Sequence, residues 1–164
     1  MEFTQWLMEN PVGELFYTFL IAMVPVIELR GAIPVGAGML GREALPAVYV
    51  AAVLGNMVPV PFIIVYIRRI FQWLRKRSRP LDDLVTRLER KAHLKGRMVT
   101  KYKYLGLCIL VAIPLPGTGA WTGALAAAFL DMRLRSAVPA IFLGVLIAGV
   151  LVSLVTGGVI AAFF

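Results

Sequence analysis

The sequence predicts an all-α polytopic membrane protein that forms a single membrane domain over residues 1–164, and two observations carry that prediction. With 60% hydrophobic residues and a mean hydropathy of +0.83, the chain is far more apolar than a soluble domain, in which roughly half the residues are apolar. Its uncharged runs also far exceed the ~10-residue alternating segments of barrel strands. In lipid only helices and closed barrels satisfy their backbone hydrogen bonds.

Residues 1–13 are short and acidic, with Phe3 and Trp6 as interfacial anchors and Asn10-Pro11 as a helix-start signal. Glu2, Glu9 and Glu14 precede the first basic residue, Arg30. A cleavable signal peptide opens on basic residues, so none is expected here. Residues 15–41 are apolar except for Glu28 and Arg30, and the stretch from Gly31 on is rich in Gly and Pro. Residues 44–67 are 24 positions without a charge, enough to cross a hydrocarbon core ~30 Å thick. Tyr66 and Trp73 suit the headgroup belt at its end.

Residues 68–103 hold thirteen of the seventeen Lys and Arg against only Asp82, Asp83 and Glu89, a local charge of +10. Such clustering sets topology and needs no nucleic-acid partner. Leu81, Leu84, Val85, Leu88 and Ala92 recur at helical spacing, with Ser78 as a cap and two early aspartates favouring the dipole. The segment reads as a basic cytoplasmic amphipathic helix, lying against anionic lipid headgroups or as a solvated linker. His93 is alone there, and Cys108 is the only cysteine, so no internal disulfide forms and no metal site is expected.

Residues 104–130 are again uncharged but are broken by Pro114-Leu115-Pro116-Gly117-Thr118-Gly119, and residues 136–164 hold a second complete pass. There Gly157-Gly158 is a candidate end or bend. The two halves align without a gap at an offset of 89: residues 15–41 and 104–130 have equal length and both end at a charge, Pro25 falls on Pro114, and Leu54-Gly55 falls on Leu143-Gly144. This predicts repeat one over 15–67, a linker over 68–103 and repeat two over 104–162. Two-fold internal repeats are common in secondary transporters.

Each 27-residue unit is either one kinked spanning helix or a re-entrant hairpin with arms of about 18 Å. With the linker cytoplasmic, the kinked form leaves Arg42, Arg133 and Arg135 outside, whereas the hairpin form leaves only Arg42 there. The positive-inside rule favours hairpins. The expected architecture is therefore two inverted repeats, each a re-entrant helical hairpin followed by a transmembrane helix, joined by the basic cytoplasmic helix. Both termini are expected outside a cell (inner) membrane.

Hairpins entering from opposite faces would bring Glu28 and Arg30 to the second tip near the bilayer centre. Ionisable side chains at that depth point to a substrate path, an ion path or a proton relay. Glu28 is either a proton carrier or half of a structural pair with Arg30, and Arg30 either grips an oxyanion by its fork or binds hairpin carbonyls. The Gly117-Thr118-Gly119 backbone is an anion nest or a tight turn. Asn56, near Pro59, lines the cavity or joins helices. Trp121 reads as packing or as an interfacial anchor. Pro34, Pro114, Pro116, Gly117, Thr118 and Gly119 complete the candidate pathway with Glu28, Arg30 and Asn56.

The run Pro25-Val26-Ile27-Glu28-Leu29-Arg30-Gly31-Ala32-Ile33-Pro34, the Gly55-Asn56 and Pro59-Val60-Pro61 features, the basic linker and Pro114-Leu115-Pro116-Gly117-Thr118-Gly119-Ala120-Trp121 together resemble the small multidrug export protein family. More remotely they are similar to the DedA or SNARE-associated membrane proteins, which resemblance implies paired re-entrant hairpins, movement of polyprenyl-phosphate or phospholipid headgroups, and essential roles for Glu28 and Arg30. This chain lacks a second acidic residue on the other tip.

The function expected is a small secondary transporter, proton-coupled, moving an anionic lipid headgroup or small amphipathic compound. The alternatives are a cationic multidrug exporter and a non-transporting membrane scaffold. No nucleophile–base pair or metal constellation suggests an enzyme, and no cofactor is expected. Membrane lipids, the transported substrate and a second copy of the chain are the expected partners, because four membrane elements enclose little.

Overall fold

The computed structural model describes residues 10–77, 102–114 and 118–163. The amphipathic segment around residues 81–92, the anchors Phe3 and Trp6, His93, Pro116 and Gly117 lie outside the described residues. All regular structure among those described is helical: α1 (Pro11–Met23), α2 (Glu28–Leu40), α3 (Leu45–Met57), α4 (Pro59–Arg77), α5 (Lys103–Ala112), α6 (Ala120–Phe129) and α7 (Leu134–Phe163), with one 3-10 turn at Arg42–Ala44.

Local chemistry sets the boundaries. Proline in the first turn starts α1 after Asn10, where its missing N–H breaks no helical bond. Pro25 pushes Val24 into extended backbone (ψ 127°) and stops α1. Gly41, at φ 83°, ends α2. The arms α1 and α2 have 13 residues each, and α5 and α6 have 10. At 1.5 Å per residue these are roughly 20 Å and 15 Å long, short of a ~30 Å hydrocarbon core. Each pair folds as a helical hairpin.

Residues 44–67, expected as one helix, are divided at Val58. Pro59 and Pro61 have no N–H to donate, and the Gly55 carbonyl, which would have accepted from residue 59, takes the Val58 N–H at 3.3 Å instead. Past the break α4 continues to Arg77, into the segment assigned to the linker. Gly157 and Gly158 do not interrupt α7, which runs on to Phe163.

Two stretches are long and apolar enough to cross a membrane: Arg42–Ile70 and Leu134–Ala162, 29 residues each, with mean hydropathies of 2.1 and 2.7. Only 33% of the most apolar window of each is buried, whereas a soluble protein's core helix is mostly buried. Phe62, Leu143, Leu154 and Val155 all face outward. That is the surface a membrane protein turns toward lipid.

The offset of 89 recurs in the element boundaries. Helices α1 and α5 end at Met23 and Ala112, α2 and α6 at Leu40 and Phe129, and α3 and α7 start at Leu45 and Leu134. The packing follows the same correspondence. In each half the outgoing arm lies on its own long helix (α1 on α3, α5 on α7); the returning arms reach both halves, α2 lying chiefly on α3 and also on α7, α6 chiefly on α4 and also on α7. The pair α3 and α7 cross each other, burying Val48, Ala52, Ile141 and Val145 nearby.

Even single contacts repeat. A Cβ on Gly55 would meet the Phe19 carbonyl and Ala22, and one on Gly144 would meet the Cys108 carbonyl and Val111, each residue 89 positions from its counterpart. At one end of the bundle Arg68 donates to the Met132 carbonyl and pairs with Asp131 at 3.5 Å. At the other, Leu45 approaches Gly157. The end of the second hairpin and the start of the linker therefore share one end of the molecule.

Candidate functional site

No helix of one hairpin packs extensively along a helix of the other among the described residues; the hairpins meet at their tips. In the first tip the chain turns through residues 24–27, and the Glu28 N–H closes the turn on the Val24 carbonyl at 3.0 Å. This tight turn puts Val26 at φ 79° and Glu28 at φ 49°. Positive φ is a strained conformation for side-chain-bearing residues, worth of order 1–3 kcal/mol, and an outlier for a β-branched one. Val26 is 96% exposed at the tip.

In the second tip Gly119 takes φ 141° and starts α6. The Thr118 hydroxyl donates to the Ile113 carbonyl at 2.7 Å, bridging the base of the turn. These choices leave the Thr118 carbonyl and the first amides of α6 facing the first tip.

Glu28 and Arg30 fill that interface. Arg30 Nη2 donates to the Thr118 carbonyl and, at 2.9 Å, to the Thr118 hydroxyl. Glu28 is only 5% exposed, and its Oε1 accepts from the Trp121 backbone N–H at 3.2 Å. The Glu28 carboxyl also occupies the space a Cβ on Gly119 would need, its Cδ lying 2.7 Å from that position. Trp121 Nε1 returns a bond to the Met23 carbonyl at 3.2 Å, one of the orphan carbonyls at the end of α1. Carboxylate on amide and guanidinium on carbonyl thus clasp the two tips from opposite signs of charge. The Arg30 charge also acts on Glu28, though side chains two apart on a helix do not face each other.

Beside the clasp lies a cavity of about 470 Å³ walled by Glu28, Arg30, Pro114 and Thr118. Pro25, Val26, Trp121, Thr122 and Leu125 complete the wall, and the sequence reading had not singled out most of these as site residues. Trp121 was open to detection: an indole N–H in the middle of an apolar unit needs an acceptor. Thr122 follows it directly and Leu125 one turn further along α6, and neither carries a sequence signal of its own.

Two candidates lie apart from the cavity. Pro34 is exposed on α2, more than a turn from Arg30. Asn56 is 0% exposed, and neither atom of its amide has a protein hydrogen-bond partner in the described residues. It neighbours Gly55, which packs against Ala22 near the end of α1, so it sits at the height of the first tip and next to the proline break. No group of three or more His, Cys, Asp or Glu able to hold a metal ion occurs among the described residues.

No curated protein and no solved structure matches the chain. A family model described as "Putative small multi-drug export protein" matches residues 28–151, 124 of the 164. The match opens on Glu28 and runs through Arg30, both proline-rich features and the second tip into α7. A match over so much of the chain, containing the whole clasp and the crossing of the two long helices, identifies the protein as a member of this small multi-drug export family.

Proposed function

We propose that the chain is a small multi-pass secondary transporter of the inner membrane that carries an anionic lipid headgroup or small amphipathic compound between its two hairpin tips, with proton coupling at Glu28. The observation that carries this reading is the clasp: a carboxylate with 5% exposure and a guanidinium, both at the edge of a cavity of about 470 Å³. Charges in such surroundings are poorly repaid by stability alone. Burial disfavours the charged form of a carboxylate and a neighbouring cation favours it, so the two together leave both protonation states within reach. Arg30 favours an anionic cargo through its fork, with Thr118 and Thr122 as further polar groups at the wall. The family's description supports a second reading, export of cationic amphipathic drugs drawn to Glu28.

In this reading the hairpins are re-entrant and the two halves inverted. Half-length arms, tips that meet, and returning arms that each touch the long helices of both halves support it. So does the contact of Arg68 with Asp131 and Met132, which groups Arg133 and Arg135 with the basic linker on one side. The linker is then cytoplasmic and faces anionic headgroups, with both termini outside. No covalent step is proposed, and the partners are lipids, the cargo and a second copy of the chain. Reporter fusions should place residue 164 outside and a tag at residue 133 inside. A cytoplasmic C-terminus would sink the inverted insertion.

The functional test is flux into proteoliposomes. Arg30→Ala and Glu28→Gln are each expected to slow transport of an alkyl phosphate by about ten- to a hundred-fold, since hydrogen bonds to charged groups are worth roughly 1.5–3 kcal/mol. If neither variant changes the flux of any alkyl phosphate or cationic dye, the site is not a transport site. If Arg30→Ala accelerates dye efflux while Glu28→Gln stops it, the cargo is cationic.

A further inference from the structure

We propose that Glu28 is the resident anion of the site at which an external phosphoryl oxyanion binds, so that each oxyanion entering displaces the carboxylate and brings a proton with it. This rests on the tip site proposed above and states how cargo and proton are coupled there.

The Glu28 carboxylate already does what a bound oxyanion would do. Its Oε1 accepts the Trp121 N–H in the first turn of α6, and its carboxyl group lies over Gly119, the residue that opens that helix. Arg30, one half-turn further along α2, holds the Thr118 carbonyl and hydroxyl beside it. Backbone N–H groups at a helix start and a guanidinium are the donors that phosphoryl oxygens take, and here they converge on one cavity large enough for a phosphoryl headgroup. Carboxylate and phosphoryl oxygens compete for the same donors.

Two anions cannot share this place. Glu28 is buried, and at low effective dielectric two like charges a few ångströms apart repel strongly. The groups facing Glu28 are Arg30 from its own helix and, from the second tip, the Trp121 amide, Gly119 and Thr118; no further charged side chain lines the cavity among the described residues. Among the described residues, Arg30 is the cation that offsets negative charge there. On binding, the Trp121 N–H···Oε1 bond breaks and an N–H···O–P bond replaces it, while a proton taken up from bulk hydronium settles on the released carboxylate and leaves water behind. For a monoanion the net charge of the site is unchanged.

The backbone favours release. Val26 and Glu28 are held at φ 79° and 49°, and freeing the Glu28 side chain from α6 removes one of the contacts that hold this turn against the second tip. The strained tip is thus biased toward opening once Glu28 is neutral.

Infrared difference spectroscopy on the purified full-length protein, with inorganic phosphate and with hexadecyl phosphate as probes, tests the idea. Binding of either probe should raise a protonated-carboxyl band that Glu28→Gln abolishes, and Glu28→Gln should bind the probe at least about tenfold more tightly because the tethered competitor is neutral. Binding of hexadecyl phosphate alone assigns the site to lipid headgroups; binding of both assigns it to the phosphoryl group itself. Wild-type binding without the band, or no binding of either probe by folded protein, overturns the inference. It falls on its own if the band is missing while Arg30→Ala still abolishes flux. The transport reading falls on its own if the band appears while Arg30→Ala and Glu28→Gln leave flux intact.

Discussion

Gly55→Ala and Gly144→Ala are both expected to destabilise the protein, at or above the upper end of the roughly 1–3 kcal/mol typical of overpacking. At Gly55 the new methyl group would run into the backbone carbonyl of Phe19 and would lie 3.1 Å from Ala22 Cβ. At Gly144 it would lie 2.7 Å from both the Cys108 carbonyl oxygen and Val111 Cβ. A flexible side chain can turn aside, but a backbone carbonyl inside a helix cannot move without moving the helix. Close glycine contacts of this kind are how membrane helices pack in the absence of a hydrophobic drive between them.

Gly38→Ala and Gly158→Ala are the controls, since nothing lies within 4 Å of a Cβ at either position. Both should be neutral or stabilising by about 0.5–1 kcal/mol, the usual helical gain over glycine. Thermal unfolding in detergent reads all four. Losses at both Gly55 and Gly144 are expected because the two contacts correspond under the offset of 89, with the larger at Gly55, where the carbonyl is closer. A loss at only one would mean that the halves do not pack alike.

The legible part of this molecule was its arithmetic. Uncharged runs, prolines and charge boundaries located the hairpin arms within a few residues, because the same prolines that break hydropathy patterns remove backbone donors and stop helices. The offset of 89 was visible from lengths and boundary charges, even though few identities support it; what it preserves is contact geometry, such as glycine against carbonyl, and that tolerates free choice elsewhere. The break at Val58 was less clear. Apolar composition showed a single span over residues 44–67, and two prolines in such a span kink or divide it depending on how the freed carbonyls are satisfied.

At the site, charge in an apolar context singled out Glu28 and Arg30, and proline and glycine singled out the second tip. The indole of Trp121 is legible as a donor that needs an acceptor, but its bond to Glu28 is not, because it uses the backbone N–H that every residue but proline has. Thr122 and Leu125 are ordinary in sequence and line the cavity only because α6 begins where it does. Pro34 closes the most recognisable motif in the chain yet lies on the exposed side of α2, apart from the cavity.

Gly119→Ala should be the most damaging single change at the tips, because it combines two effects that can be measured apart. The residue sits at φ 141° and ψ −165°, a region that essentially only glycine occupies. Its Cβ would also fall on the Glu28 carboxyl. Gly41→Ala isolates the first effect: Gly41 has φ 83° and ψ 170°, also in that glycine-favoured region, and open space around it. It should lose about 1–3 kcal/mol of stability and retain transport. Gly119→Ala should lose more stability and reduce transport at least about tenfold, because the alanine methyl expels Glu28 from the start of α6. Adding Glu28→Ala removes the carboxyl group that the methyl meets, so the double variant should be more stable than the sum of the single losses predicts, by about 0.5–3 kcal/mol for groups in contact. Strict additivity would mean that Glu28 does not occupy the position over Gly119, and the clasp would lose its carboxylate half.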